Sequence, residues 1–440
     1  MPKHSITPDD LIRKIKSRNI KIAVVGLGYV GLPLAVEFAR NGIAVIGIDI
    51  NPAKIKGLRA GKSHVQDVPD KDIADIVKNK KLIVTTKFES VKSVQAIIIC
   101  VPTPLNRVKE PDLSFILHAT DGIRKYLTRG QIIILESTTY PGTTEEVILP
   151  KLTRKGYRVG EDFFLCFSPE RIDPGNQKFP MPVIPKVVGG ITPQCVKVAT
   201  ALYGQVFYRV VPVSSSRTAE MAKLLENTFR IVNIGLINEL AMIAERLGVD
   251  IWEAIDAAKT KPFGFMPFYP GPGVGGHCIG IDPIYLSWKA KRHGFDVRFI
   301  ELAREINTNM PAYVVRRITE VVSKRLKKDT KKTSVLIVGV TYKRNVADTR
   351  ESPAIEIIEQ LLGKKFQVTY FDKFVPSLRF KHVNLKSKPL TENEIKKHDI
   401  AVIVTDHSDI DYGMVIKHSK VVLDTRNVLR SFQSAKVVRL

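Results

Sequence analysis

Cysteine is scarce in this chain. There are four, Cys100, Cys166, Cys195 and Cys278, with no CxxC pair among them. That spacing argues against a metal cluster and a disulfide framework, and it fits a cytoplasmic protein with no bound metal. Long apolar runs are also missing. The most apolar stretch, residues 22–39, is interrupted by three glycines, a proline and Glu37, so no membrane span is expected. The opening MPKHSITPDDLIRKIKSRN carries charge and no apolar signal core. Acidic residues are outnumbered, 44 against 68 Lys and Arg, for a net charge of +24. Such an excess invites a nucleic-acid reading. The basic residues are spread out, however, and are dense only in SKRLKKDTKK (323–332), a run without interleaved aromatics or a base-reading module. A solvated linker or helix end is the plainer account, and the charge suits small anions such as nucleotides. No nucleic-acid partner is expected.

What is present is ordinary for a globular protein: 440 residues, 44% hydrophobic and 25% charged. At about 100–200 residues per domain there is room for two or three. Apolar runs at 20–26, 43–50, 81–86, 96–104, 131–139 and 163–169 alternate with helical patterns. Such runs are the mark of buried parallel strands in a doubly wound α/β sheet. From 217 to 247 the apolar spacing becomes three and four residues, which predicts one long helix ending at Gly248. Residues 283–328 are again helical in pattern, with Pro311 as a kink or break. Strand-like runs return at 334–340, 366–372, 399–405 and 420–425. The chain therefore divides into an α/β domain (1–210), a helical section (211–328) whose surplus apolar faces point to a homodimer or higher oligomer, and a second α/β domain (329–440).

VVGLGYVGLPLA sets Gly26, Gly28 and Gly31 as G-x-G-x-x-G between a strand and a helix. The first glycine permits a tight turn, the second admits a pyrophosphate, and the third lets the helix pack on the sheet. Asp49 ends the next strand, 23 residues after Gly26, where an acid bonds the ribose hydroxyls of NAD and repels the extra phosphate of NADP. NAD is the expected cofactor.

Hydride transfer needs a substrate hydroxyl, a base and a dry site. Glu136, Ser137 and Thr138 end one strand, and Glu170 and Asp173 follow another, where sheets of this class hold ligands. Lys223 and Asn227 share one helical face in an otherwise apolar stretch. Taken singly, each is as readily a satisfied polar residue as a catalytic one. Cys278 differs. It lies in YPGPGVGGHCIGIDP (269–283), a loop-like segment rich in glycine and proline, beside His277. A thiolate there would trap an aldehyde as a thiohemiacetal, and a second oxidation would leave a thioester for water to cleave. Two adjacent ligands, His277 and Cys278, do not make a zinc site.

Seven segments in order resemble the UDP-glucose/GDP-mannose dehydrogenase family: GLGYVGLPLA (26–35), VPTP (101–104), ESTTYPGTT (136–144), SPER with DPGN (168–176), the Lys223/Asn227 helix, PGPGVGGHCIGIDPIYLSWKA (270–290) and YKRNVADTRESPA (342–354). The resemblance implies two Rossmann-like domains joined by a long dimer-forming helix. It also implies an NAD-dependent four-electron oxidation of a nucleotide-sugar C6 hydroxymethyl to a carboxylate. By position, Cys278 would be the nucleophile, Lys223 and Asn227 would stabilise the oxyanion, and Asp282 would help Lys223 activate water. Thr138 and Glu170 would line the site, Glu170 as a water-mediated base. Gly26, Gly28, Tyr29, Val30 and Gly31 would face the NAD phosphates, Asp49 and Lys54 its ribose, and Val101, Pro102, Thr103, Pro104, Ser137 and Thr138 its nicotinamide half, with Arg350 reaching the cofactor. Glu170, Arg171, Lys223, Asn227, Tyr269, Gly271, Gly273, Gly275, Tyr342 and Lys343 would hold the UDP-sugar.

One departure bears on the sugar. Glucose-oxidising members commonly carry a second glutamate where this chain has Pro174, beside Asp173. SPER-DPGN, FGFMPFYPGPG and GGHC are more similar to the branch acting on UDP-N-acetylhexosamines, and Phe263–Phe268 would shape the wider pocket. The order of expectation is UDP-N-acetylglucosamine, UDP-N-acetylmannosamine, then UDP-glucose. A simple two-electron hydroxyacid dehydrogenase leaves Cys278 and the second α/β domain unexplained. A basic scaffold protein that merely keeps a cofactor fold has no recognition module to support it.

Overall fold

The computed structural model describes residues 7–153, 156–172 and 179–440, the side chains of His277 and Cys278 excepted. Two compact units emerge, Met1–Glu226 with Ile284–His293, and Asn227–Pro283 with Gly294–Leu440.

The first unit is built on one sheet of β1 (Lys21–Val25), β2 (Ala44–Ile48), β3 (Leu82–Thr85), β4 (Ala96–Ile99), β5 (Gln131–Leu135), β6 (Phe163–Phe167), β7 (Lys186–Gly190) and β8 (Val210–Val213), ordered β3-β2-β1-β4-β5-β6-β7-β8. Pairing is parallel through β6, β7 runs antiparallel to β6, and β8 is parallel to β7. All residues of β4, β5 and β6 are buried, as expected where helices cover both faces. Full burial of each Ile or Leu stabilises by about 1.5–3 kcal/mol, so the register is strongly fixed. Strand order reverses at β1, leaving a crevice beyond the ends of β1 and β4.

The second unit has β9 (Ser334–Val338) and β10 (Gln367–Phe371), a hairpin of β11 (Ser377–Phe380) and β12 (Val383–Lys386), then β13 (Ile400–Ile403), β14 (Val422–Asp424) and β15 (Val437–Arg439). Its main sheet is fully parallel in the order β10-β9-β13-β14-β15. The long helix spans Ser216–Leu247 and stops before Gly248, whose φ of 70° no helix continues.

Two expectations changed. The helix Arg298–Val321 runs through Pro311 without a break, because Met310, Pro311, Tyr313 and Val314 are buried in the core that supports it. Cys278 does not lie in an open loop. The helix His277–Arg292 starts one residue earlier and contains Pro283.

Candidate functional site

At the first glycine-rich turn, Gly26 has φ 93°, and a Cβ there would lie 2.5 Å from the Cys100 carbonyl oxygen at the end of β4. A Cβ on Gly31 would lie 1.9 Å from the Gly26 carbonyl oxygen, so the helix Gly31–Arg40 cannot pack here with any other residue. Gly28 is the opposite case, with no atom within 4 Å of its Cβ position. Its face is open at the helix N-terminus, which fits a pyrophosphate. Asp49 is buried and accepts the N–H of Leu27 at 3.0 Å and of Asn51 at 2.9 Å, with Lys54 Nζ at 3.4 Å. His64 Nε2 donates to the Leu27 carbonyl at 2.7 Å, so the turn is held from both sides of one residue. Tyr29 is half exposed beside it. These residues fit NAD, which when bound supplies hydride acceptance.

The loop Val101–Pro104 is fixed by its carbonyls. Ser137 Oγ donates to Val101 O at 2.7 Å, and the buried Tyr285 hydroxyl donates to Thr103 O at 3.0 Å and Pro104 O at 3.2 Å. The segment carrying Thr138 is pinned by Glu220, whose carboxylate accepts from Gly142 N (2.6 Å), Thr144 N (2.9 Å) and Thr144 Oγ1 (2.7 Å). Burial pushes Glu220 up to about 7.

Glu170 is buried, and its Oε1 accepts the N–H groups of Arg171 and Ile172, each at 2.7 Å. Its other oxygen takes Lys186 Nζ at 3.0 Å, and its main-chain carbonyl takes Lys223 Nζ at 2.6 Å. Arg171 forks onto Glu226, 2.6 and 3.2 Å away, and donates to Pro185 O at 2.8 Å. One helical turn beyond Lys223, Asn227 donates to the buried Asp282 carboxylate.

In the second unit, Gly271 N donates to Asn238 Oδ1 at 2.9 Å. Asn238 Nδ2 donates in turn to Asn307 Oδ1 at 2.9 Å, and Asn307 Nδ2 to Ile231 O at 3.1 Å. This buried amide chain ties the segment ahead of Cys278 to the long helix. A Cβ on Gly275 would lie 2.6 Å from Tyr342 Cβ and 2.7 Å from Glu351 O, while Gly276 N donates to Arg350 O at 3.0 Å. The paired glycines therefore let the segment press onto residues 342–351. Nearby is a cavity of about 790 Å3 lined by Trp252, Tyr269, Tyr342, Lys343, Arg344, His407, Arg426 and Arg430, with Asp256 and Asp406. Trp252 and Tyr269 stack at 5.7 Å and 14°. Arg426 Nε donates to Val404 O at 2.8 Å, and burial draws its guanidinium below the ordinary range. Aromatic faces beside four cations suit a nucleoside diphosphate.

Family models match along the chain: the UDP-glucose/GDP-mannose dehydrogenase NAD binding domain on residues 20–207, the central domain on 217–309 and the UDP binding domain on 336–431. The chain belongs to the UDP-glucose/GDP-mannose dehydrogenase family. It is an NAD-dependent UDP-sugar dehydrogenase. A UDP-N-acetyl-D-glucosamine 6-dehydrogenase of Pseudomonas aeruginosa is 42% identical over 360 residues, covering 81% of this chain and 84% of the relative. A UDP-N-acetyl-D-mannosamine dehydrogenase of Methanocaldococcus jannaschii is 37% identical over 424 residues, 93% and 92% of the two chains. The solved UDP-D-ManNAc dehydrogenase of Pyrococcus horikoshii is similar with a TM-score of 0.86 at 33% identity, over 96% of this chain and 99% of that one.

In this dehydrogenase the first unit gathers Gly26, Gly28, Tyr29, Val30, Gly31, Asp49 and Lys54 at one turn, and Val101–Pro104 with Ser137 at the next strand ends. Tyr269, Tyr342 and Lys343 line the second-unit cavity, with Gly271 set against Arg426. Gly273 packs on Pro353, and Arg350 forks onto Asp348 at 2.6–3.0 Å. The thiol of Cys278, and Asp173 and Pro174, lie outside what the structure describes. Sequence reasoning missed His64, Lys186, Trp252, His407 and Arg426. Arg426 and His407 had a signal, since LDTRN and VTDHS each follow a strand end, where ligand residues of such sheets lie.

Proposed function

We propose that this dehydrogenase oxidises the C6 hydroxymethyl of a UDP-N-acetylhexosamine to the carboxylate, with UDP-N-acetylglucosamine as the first substrate. The observation that carries this reading is the cavity whose cations Lys343, Arg344, Arg426 and Arg430 come from the region matched as UDP binding and whose stacked Trp252 and Tyr269 come from the central domain. The 42% identical UDP-N-acetyl-D-glucosamine 6-dehydrogenase supports the choice of sugar. UDP-N-acetylmannosamine is the second reading, favoured by the TM-score of 0.86 to an enzyme of that name.

Each sugar yields two hydrides in all. The Cys278 sulfur bonds to the aldehyde carbon, and its place in the first turn of a helix favours the thiolate. Lys223 and Asn227 stabilise the oxyanion, Asn227 being fixed by Asp282. For hydrolysis, Glu170 takes a proton from water. The hydroxide oxygen bonds to the acyl carbon, and the C–S bond breaks to return the thiolate. Thr138 lines the site, and Arg171 and Arg350 steady the segments that bear the ligand contacts.

We also read the chain as three functional segments, 1–210, 211–328 and 329–440, working in the cytoplasm as a homodimer and without a nucleic-acid partner. Leu225, Phe229, Leu236, Leu240 and Leu247 leave an exposed apolar stripe along the long helix, and such a stripe asks for a cover.

Purified enzyme with NAD and a panel of UDP-sugars tests the substrate. UDP-N-acetylglucosamine is expected to give the highest kcat/KM, and a tenfold preference for UDP-glucose would overturn the reading. Cys278→Ser is expected to abolish carboxylate release while NAD still binds.

A further inference from the structure

Behind Glu170 lies a charge cluster that the reaction scheme above leaves unused. Lys186, the first residue of β7, is buried, and its ammonium sits 3.0 Å from Glu170 Oε2 and 3.1 Å from Glu136 Oε2. The rings of Tyr203 and Phe207 lie 5.2 Å from the same nitrogen. The two carboxylates are not equivalent. Glu170 is hydrogen-bonded to the ammonium and to two main-chain N–H groups. Glu136 receives the Tyr203 hydroxyl on one oxygen, and its other oxygen has no aligned donor. The remaining titratable and charged groups facing the cluster are the buried Cys100 thiol, whose pKa burial raises, and Lys223 on the Glu170 carbonyl.

We propose that Lys186 is a positioning residue of the oxidation: its ammonium holds the Glu170 carboxylate ionised and oriented toward its task, and Glu136 takes up the proton the cluster retains. Two buried carboxylates this close cannot both stay charged without the cation between them. Unequal donor sets then decide which one keeps the proton. The directions agree. Burial lifts Glu136 to about 7 against the pull of Lys186, whereas at Glu170 the same burial is outweighed by Lys186 and the Ile172 N–H, and its carboxyl falls below the ordinary range. A guanidinium can replace the ammonium as a donor, but an apolar side chain cannot.

The inference rests on Glu170 serving the reaction, and kcat–pH profiles of four variants separate the two ideas. Lys186→Met is expected to lower kcat about a hundredfold and to move the acidic limb up by about one pH unit, with KM for NAD within about twofold of native. Lys186→Arg is expected to recover kcat to within about tenfold. Glu136→Gln puts a neutral amide in place of a protonated carboxyl, so the acidic limb is expected to stay within about 0.3 pH unit of native. Native kcat and an unmoved limb in Lys186→Met would overturn the proposal. Should that variant fail to fold, a limb moved down by about one pH unit in Glu136→Gln would show that Glu136 is charged and would overturn it equally. Native kcat in Glu170→Gln would instead remove the role of Glu170 on which both ideas stand.

Discussion

The two sheets of this dehydrogenase carry the same turn and put it to different ends. After β1, Gly26 N donates to Ile48 O at 2.7 Å, and a Cβ on Gly26 would strike the Cys100 carbonyl at 2.5 Å. After β9, Gly339 N donates to Phe371 O at 2.9 Å, and a Cβ there would strike the Thr405 carbonyl, also at 2.5 Å. Asp49 accepts Leu27 N at 3.0 Å; Asp372 accepts Val340 N at 2.7 Å. Beyond that point the units diverge. The first continues through Gly28 and Gly31 and leaves the buried Asp49 beside Lys54. The second continues through Tyr342, Lys343 and Arg344, and seals Asp372 with His407 at 3.1 Å. One backbone device at the end of a parallel strand thus leads into a helix N-terminus in one unit, which suits phosphates, and into side-chain cations in the other.

The largest expected effect separates two glycines of one motif. Gly31→Ala must displace the Gly26 carbonyl and is expected to cost about 3 kcal/mol or more in stability. Gly28→Ala meets no protein atom, so its melting temperature should stay within about 2 °C while NAD affinity falls about tenfold or more. Thermal melts with NAD titrations check both. If Gly28→Ala melted early with native affinity, the division of roles would fail.

The paired aspartates come next. Asp49→Asn is expected to weaken NAD about ten- to a hundredfold, since hydrogen bonds to charged groups contribute about 1.5–3 kcal/mol. Asp372→Asn should leave NAD affinity unchanged and lower stability by about 1–3 kcal/mol. Arg426→Ala is expected to raise KM for the UDP-sugar about tenfold or more with KM for NAD unchanged. An equal rise in both would contradict a dedicated diphosphate pocket.

The smallest effect is a slope, and the two units give it opposite signs. Glu220 has a folded pKa of about 7, above the unfolded value near 4.5, so the folded state binds the extra proton between them. Stability from this group is full below about 4.5 and is lost as pH rises through about 7. At Asp372, burial is outweighed by His407 and the Val340 N–H, which hold its carboxyl below the ordinary range. Its contribution is present above the unfolded value and is lost as pH falls. Melts from pH 4 to 8 should flatten in Glu220→Gln at the neutral end. An unchanged slope there would show that Glu220 keeps no proton.

Much of this was legible in the sequence because the governing contacts are local. The runs at 20–26, 43–50, 81–86, 96–104, 131–139 and 163–169 fall on β1–β6, and the four later runs on β9, β10, β13 and β14. The G-x-G-x-x-G turn and Asp49 follow from neighbours within two strands. What escaped depends on distant packing. β8 and β15 close the ends of their sheets, β7 lies between β6 and β8, and β11 pairs only with β12; their strand character comes from these partners. Lys186 and Glu136 meet across 50 positions, and Trp252 reaches the same cavity as Arg426, so no spacing rule brings either pair together. The resemblance gives Gly275 only as a contact to the UDP-sugar; in the structure Gly275 and Gly276 are also the space that Tyr342 and Glu351 require.

Stoichiometry tests the proposed four-electron oxidation of the UDP-sugar. With limiting UDP-N-acetylglucosamine and excess NAD, two NADH and one carboxylate are expected for each sugar consumed. One NADH per sugar with aldehyde released, or no turnover with any UDP-sugar, would contradict it.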